Sequence, residues 1–560
     1  MRGGNPPRRG DHGRIGKARG PRDLEEPAMT AQRYDAIVIG AGANGLTAAA
    51  TLGDAGLRVL LLEGGEAAGG QGAVVEFAPG FRAAPLGSDP GWLPPTVAKA
   101  LRLSAIERAA SDAPLSVAVE PGKFLTLSRD VSRAAEAIRA HSPGDAAKWP
   151  AFTTRIRKLA GFLEVLYQTP APDIDARALG DLLPLLGVGR KFRALGRVDM
   201  IEFLRTLPMS VWELLDDWFE SAPLKAAVAA GGIQDFQQGP RSGGTGFVLL
   251  HYLVGAPAGL VRGRVPWRAG PAAFTEAAEQ AARRAGVTVR TGAPVARVQV
   301  KDDAVAGVVL EGGEVIDSRY VLSTADPART FLDWVDPVWL DPEFIHAVRN
   351  IRFRGCTAVV LYALGALPRV PGLAAEALAG IVTLTPHVES LERAADAAKY
   401  GAVSEKPHVE VTVPTLLWPD LAPQGKHVLA ARVQYAPYRL AGAASWDASR
   451  RDALADSITA AIEAVAPGFA SSVLHRTAWS PLDLERQFGL REGAATHGEL
   501  GLDQILFMRP VAGWGQHATP IARLYLGGAG THPGPGVLGG PGWLAARRLL
   551  ADRRKGNGAS

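Results

Sequence analysis

Tyr34-Asp35-Ala36-Ile37-Val38-Ile39-Gly40-Ala41-Gly42-Ala43-Asn44-Gly45-Leu46, running on to Gly70 as TAAATLGDAGLRVLLLEGGEAAGG, decides the fold of this chain. The run Ala36–Ile39 is short, mostly β-branched and closed by a glycine, which predicts a buried parallel strand. Gly40, Gly42 and Gly45 spell G-x-G-x-x-G, and Leu46, Ala49 and Leu52 open a helical face directly after it. Each glycine has a separate task in such a unit: a tight turn at Gly40, backbone approach to a pyrophosphate at Gly42, and close helix–strand packing at Gly45. The helix N-terminus would present free N–H groups to the phosphates. A second strand, Arg58–Leu62, ends on Glu63, roughly 20 residues on, where a carboxylate accepts from the ribose hydroxyls of an adenosine. Strand, turn, helix, strand and acid in that order point to a dinucleotide site.

The rest of the composition frames that unit. A chain of 560 residues exceeds one ordinary core, so two or three intertwined domains are expected. Hydrophobic content of 47% and charged content of 21% describe a globular protein. The net charge of +5 is partly owed to Met1–Thr30, where seven Arg and Lys face four acids. The body is near neutral, so no nucleic-acid footprint is expected. Cys356 is the single cysteine, which excludes an intramolecular disulfide and a redox-active C-x-x-C pair. Residues 1–30 read as a disordered basic tail that is neither a secretory signal nor a transit peptide, with Met29 a candidate true start. No run approaches ~18 apolar residues, so no membrane-spanning helix is expected.

After Gly70 comes an irregular stretch, Pro79–Pro95, then a helix around Thr96–Leu103 and a hairpin of Ser116–Val119 with Phe124–Leu127. From Val131 to Ala230 the pattern is helical, with Trp149, Phe152, Ile156, Leu159 and Phe162 at helical spacing. Leu179–Leu207 is Leu-rich with scattered Arg and Lys. It reads as an ordinary packed helical region or, more sharply, as a membrane-surface lid. Gly243–Leu253, Gly270–Gly286 and Val287–Leu310 return to α/β style, and Arg319–Ala325 is a further strand. Phe353–Ala366, Ile381–Thr385, His408–Pro414 and His427–Tyr435 are the expected strands of a second sheet, followed by an amphipathic helix over Arg450–Val465.

A second glycine-rich turn lies near the end. The strand Arg523–Leu526 opens into Gly527-Gly528-Ala529-Gly530-Thr531-His532-Pro533-Gly534-Pro535-Gly536, and a helix runs from about Gly539 to Leu550. Backbone N–H groups there can reach a ligand. Together with Val38–Gly70 and Val295–Val298, these residues resemble the phytoene-desaturase-like flavoproteins, the carotenoid desaturases and isomerases and their relatives. The segment D-Q-x-x-F-x-R-P-x-x-G-W at Asp503–Trp514 is similar to that of members described as pyridine-nucleotide-disulfide-oxidoreductase-like. The resemblance covers most of Gln32–Asp552.

The resemblance implies FAD and an α/β fold, with a Rossmann-type, glutathione-reductase-like FAD-binding domain, a discontinuous α+β substrate domain and a helical lid. The implied FAD-binding parts are 31–110, 245–330 and 495–555, the lid 111–244, and the substrate sheet and helices 331–494. Gly40, Gly42, Ala43, Asn44 and Gly45 match the family's pyrophosphate loop, Glu63 its ribose carboxylate and Gly70 the loop after it. Val295 matches the adenine-contacting backbone, and Gly528, Ala529, Gly530, Gly536 and Val537 the loop beside the ribityl chain and flavin. Two positions depart from the family: Ala269-Gly270-Pro271, where relatives carry paired glycines, and Gln71, where amine oxidases carry Arg.

One Rossmann fingerprint leaves no dedicated NAD(P)H domain, so the expected reaction is hydride removal from a largely apolar small-molecule substrate such as a polyene. Oxygen or a quinone would be the electron acceptor. The alternatives are an amine or amino-acid oxidase, a redox-neutral flavin isomerase and, more distantly, a flavin-free prenyl- or lipid-binding protein. No catalytic acid or base is assigned. His251, His497, Arg509 and His532 read as structural hydrogen-bonding residues. No metal-spaced cluster and no G-x-S-x-G is present. The expected setting is cytoplasmic, with a peripheral membrane contact through the Leu-rich segment.

Overall fold

The computed structural model describes residues 34–87, 91–103, 106–107, 114–172, 179–257, 259, 261–262 and 266–557. The tail read over 1–30 and the candidate start Met29 lie outside these residues.

Strand Tyr34–Ile39 sits at the centre of a seven-stranded sheet. Val59–Leu62 pairs with it in parallel on one side, with Ala36 opposite Val59, and Thr288–Arg290 continues that edge. On the other side Val315–Ser323 runs parallel to it, with Ala36 opposite Tyr320. The apolar run is continuous because both sheet faces are covered. Ala36 and Val38 pack with Leu46, Leu52, Phe274, Leu544 and Leu549 of the flanking helices. Ile37 and Ile39 face Val298, Val308 and Phe331 instead.

Strand Val315–Ser323 changes partners along its length. Its first residues pair antiparallel with Ala304–Leu310, which pairs in turn with Val295–Lys301; its last three pair in parallel with Leu524–Leu526. The carboxyl ends of Tyr34–Ile39, Val315–Ser323 and Leu524–Leu526 therefore open at one edge, where ligands of such sheets bind.

A second sheet of seven strands has the order Val473–Trp479, Thr357–Leu364, His427–Gln434, His408–Thr412, Ile381–Thr383, Leu115–Glu120 and Lys123–Leu127. The four strands expected between residues 353 and 435 are all present. Val473–Trp479 is an addition to them, and the hairpin expected near residue 116 forms this sheet's far edge. One face packs Val360, Tyr362, Val411 and Leu429 on helix Ala448–Val465 through Leu454, Ile458 and Ile462. The opposite face looks toward the first sheet's loops.

A helical region that includes Val131–Arg139, Pro143–Leu166 and Ala222–Ala229 packs on the hairpin. Trp149, Phe152, Ile156, Leu159 and Phe162 are all buried in it, as their spacing predicts. The Phe152 and Phe219 rings meet edge-on at 4.8 Å. Asp145 ties two helix starts together, because its carboxylate accepts from the N–H groups of Glu220 and Ser221 at 3.0 and 2.7 Å. Gly243–Leu253, expected in α/β style, is instead a buried helix, Thr245–Tyr252, within this region. No helix among the described residues is long and apolar enough to cross a membrane.

Candidate functional site

The first glycine loop is shaped by contacts that leave one position open. Gly40 has φ of +94°, a left-handed value that favours glycine, and its N–H donates to the Leu62 carbonyl at 2.7 Å. A Cβ on Gly40 would stand 2.5 Å from Thr324 Oγ1, and one on Gly45 would stand 1.7 Å from the Gly40 carbonyl oxygen. At Gly42 the nearest atom would be Gly70 Cα at 3.8 Å, so packing does not demand glycine there. Gly42 starts helix Ala43–Asp54 with no side-chain cap, and the buried Asn44 Oδ1 has no partner among the described residues. Uncapped N–H groups at a helix start carry partial positive charge and suit a phosphate. The Gly69 N–H donates to the Ala41 carbonyl at 3.0 Å, which brings Gly70 against Gly42. Gly40, Gly42, Ala43, Asn44, Gly45 and Gly70 thus form one cradle.

Glu63 closes one end of it. Its Oε2 accepts from the Ala41 N–H at 2.7 Å and its Oε1 from the Gly65 N–H at 2.9 Å. A carboxylate has about four acceptor sites, so both oxygens retain capacity for a diol. The Ala293 N–H donates to the Glu63 carbonyl at 2.8 Å, and this sets the buried Val295 at the start of its strand beside that end.

The carboxyl-terminal loop meets the first through Thr324. That residue's hydroxyl donates to the Ile39 carbonyl at 2.7 Å, while a Cβ on Gly528 would lie 2.3 Å from the Thr324 carbonyl oxygen. Gly530 is pressed equally hard on Pro327, at 2.6 Å. These two glycines are therefore required by protein packing. The Gly536 carbonyl accepts from the Trp92 N–H at 2.8 Å, and Val537 pairs with Trp92 as an isolated bridge. Helix Gly540–Asn557 begins against the first helix, since a Cβ on Gly542 would meet the Asn44 carbonyl oxygen at 2.0 Å. Two helix N-termini converge at this point.

Of the polar residues named near this loop, Arg509, His251 and His532 are held by hydrogen bonds, whereas the buried His497 Nδ1 has no partner among the described residues. Arg509 is fully buried and donates to four carbonyls: Ala529 at 2.8 Å, Thr496 at 2.6 Å, Gly498 at 3.2 Å and Gln504 at 3.3 Å. Burial pushes its pKa down to about 10, which leaves it cationic at neutral pH. The Arg of the Asp503–Trp514 stretch is thus a clamp between that stretch and the glycine loop. His251 sits between Tyr167 and Pro535, at 2.7 and 2.8 Å. A carbonyl can only accept, so Nε2 carries the proton and Nδ1 accepts from the Tyr167 hydroxyl. His532 donates from Nε2 toward the Thr169 and Leu166 carbonyls. Burial, then Arg509, lowers the His497 pKa to about 4, so that ring is neutral. Gln71 donates to the Ala495 carbonyl at 2.8 Å.

A cavity lies between the open face of the second sheet and the loops holding Pro85, Trp267 and Pro271. Trp418, Leu417 and Leu421 give it apolar walls. Its floor is charged, a departure from the wholly apolar site expected for a polyene. Arg262 makes a two-pronged pair with Glu410, with Nη2 at 2.7 and 2.6 Å from the two oxygens, and also donates to Gln234. Burial opposes ionisation of Glu410, but the Arg262 charge beside it outweighs that and holds the carboxyl below the usual range. Arg432, opposite Glu410 in the neighbouring strand, donates from Nη2 to Asp235 at 2.5 Å. The one sequence signal is a set of polar residues at every second position, His408, Glu410 and Thr412 beside Arg432 and Gln434, in otherwise apolar strands. Among the described residues no cluster of His, Cys, Asp or Glu could hold a metal ion.

With this geometry in view, the chain matches the family of flavin-containing amine oxidoreductases over residues 44–548. It is 34% identical to pyridine nucleotide-disulfide oxidoreductase domain-containing protein 2 of Rattus norvegicus, covering 93% of this chain and 94% of that one. It is 25% identical to the zeta-carotene-forming phytoene desaturase of Myxococcus xanthus, over 92% and 93% of the two chains. Among solved structures an oxidoreductase of Methanosarcina mazei superposes with a TM-score of 0.57 at 16% identity, over 92% of this chain and all of that one.

Proposed function

This chain belongs to the flavin-containing amine oxidoreductase family and is an FAD-dependent oxidoreductase; from that premise we propose that it acts as a dehydrogenase or desaturase on a largely apolar, lipid-like substrate such as a polyene. The observation that carries this reading is the cavity walled by Trp267, Leu417, Trp418 and Leu421 beside Pro271.

FAD would be held by Gly40, Gly42, Ala43, Asn44, Gly45 and Gly70 at the pyrophosphate, by Glu63 and Val295 at the adenosine, and by Gly528, Ala529, Gly530, Gly536 and Val537 toward the flavin. The uncapped helix start, the open side of Gly42 and the spare acceptor capacity of Glu63 all fit that group. When bound, FAD supplies a two-electron acceptor. The protein's own part is to orient an apolar chain and keep water from it. Oxygen or a quinone completes the turnover.

An amine oxidase is the second reading, and the cavity weighs against it. Glu410 and Asp235 are already paired with Arg262 and Arg432, so neither carboxylate is left to receive an ammonium ion. A redox-neutral isomerase would use the same walls. Anaerobic titration separates the three: a polyene or related lipid bleaches the flavin under this reading. Bleaching by amines alone, or conversion of the substrate without bleaching, contradicts it.

A peripheral membrane contact is part of the proposal. On the helices Leu179–Ala194 and Arg197–Thr206, Leu186, Val198, Ile201 and Leu204 are each more than half exposed. The exposed Arg190, Lys191, Arg193 and Arg197 accompany them. Apolar side chains beside cations suit a surface of anionic lipid.

A further inference from the structure

The charged floor of the cavity says more about the substrate than its apolar walls do. Val359, Arg432 and Glu410 stand side by side across three adjacent strands and face the same space. Arg262 is largely committed there, because all three of its nitrogens already serve Glu410 and Gln234. Arg432 is not. A guanidinium carries five N–H donors, and among the described residues only Nη2 of Arg432 is used, toward Asp235 and, at 3.3 Å, Thr357. Its side chain keeps 13% exposure and lines the cavity, and Nε and Nη1 have no partner among the described residues.

Charge decides what that ligand brings. Arg262 and Arg432 are balanced by Glu410 and Asp235, and the His408 ring lies 3.5 Å from Glu410. A carboxylate added to this floor would bury a negative charge without a new cation, and an ammonium would face two guanidinium groups; a buried charge without a partner is strongly unfavourable. A hydrocarbon would bury the free donors of Arg432 unbonded, which is also costly. A neutral oxygen accepts from those donors and leaves the balance intact.

We propose that the substrate is an oxygenated apolar molecule whose neutral carbonyl or hydroxyl oxygen accepts a hydrogen bond from the free edge of Arg432, while its hydrocarbon part lies on Trp267, Leu417 and Trp418. The inference rests on reading this cavity as the substrate site of an FAD enzyme. It makes Arg432 a specificity-determining residue that separates this chain from an enzyme built for a pure hydrocarbon.

The test is a binding series on the full-length, FAD-loaded protein with 2-octanone, octane, octanoate and octylamine, read by quenching of tryptophan fluorescence. Octanone should bind about ten-fold more tightly than octane after correction for their partitioning, the worth of one hydrogen bond to a charged donor. Arg432→Met should remove that margin. Arg432→Lys, which keeps the charge facing Asp235 but lacks the planar fork, should remove most of it and serves if the Met variant does not fold. Equal binding of octane and octanone, or tighter binding of octanoate or octylamine, in protein with a full complement of FAD overturns the inference. Protein that takes up no FAD overturns instead the reading on which it rests.

Discussion

Gly45 sits directly on the carbonyl of Gly40: a methyl group there would stand 1.7 Å from that oxygen, inside any allowed contact. The helix can start where it does only because residue 45 has no side chain. Gly45→Ala must push the helix off the strand end, and overpacking of that kind costs roughly 1–3 kcal/mol or more. The variant should melt several degrees lower and purify with less than a tenth of the flavin of the parent. Full flavin content would show that the loop does not depend on this contact.

Glu63 answers to a different term. Its carboxylate already holds the Ala41 and Gly65 N–H groups and keeps spare acceptor sites. Glu63→Gln preserves the shape and removes the charge, so FAD affinity should fall by about ten-fold, near the worth of one charge-assisted hydrogen bond. Fluorescence titration of the flavin-stripped protein reads this directly. Unchanged affinity would remove Glu63 from the adenosine end.

The floor of the cavity should be fragile in a lopsided way. Arg262→Met leaves Glu410 buried and ionised without its partner, which costs roughly 3–5 kcal/mol. Adding Glu410→Leu to that variant should return most of the lost thermal stability. If the double variant is no more stable than Arg262→Met alone, the pair is not the coupled unit described.

Acid should weaken the fold through buried imidazoles. His517 and His532 are each 1% exposed, and burial depresses their pKa values from 6.5 to about 3 and about 4. Between pH 6.5 and 4 the unfolded chain binds protons that the native chain does not, so native stability is full above 6.5 and falls as pH is lowered. Each unit is worth about 1.4 kcal/mol per group. The melting temperature should drop from about pH 7 to about pH 4.5, and His532→Asn should shallow the slope. A flat profile would mean that these rings take up protons in the native state.

The lid gives a separable prediction. Ile201→Glu with Leu204→Glu should abolish cosedimentation with anionic vesicles while flavin content and melting temperature stay unchanged, because both side chains are already in solvent. Equal vesicle binding by the variant would contradict the membrane contact.

Much of this architecture is legible in the sequence because it rests on local grammar. The strand–turn–helix–strand unit from Tyr34 to Glu63 carries its own spacing, and the apolar runs at Thr357–Leu364 and His427–Gln434 announce buried strands. Val473–Trp479 escapes notice because it is half exposed, and Leu474, His475 and Arg476 blur its alternation. The site is legible only where a glycine marks it. Thr324, which joins the two glycine loops, looks like any threonine after a strand. Arg262 and Glu410 are 148 positions apart and meet only through the fold.

The measurement that bears most directly on the whole account is the absorption spectrum of the purified protein, with chromatography of what it releases on denaturation. The account predicts flavin bands and FAD in the extract, at close to one per chain. A colourless protein that also refuses added FAD would contradict it, and would leave the cradle of Gly42, Asn44 and Glu63 without the ligand its geometry fits.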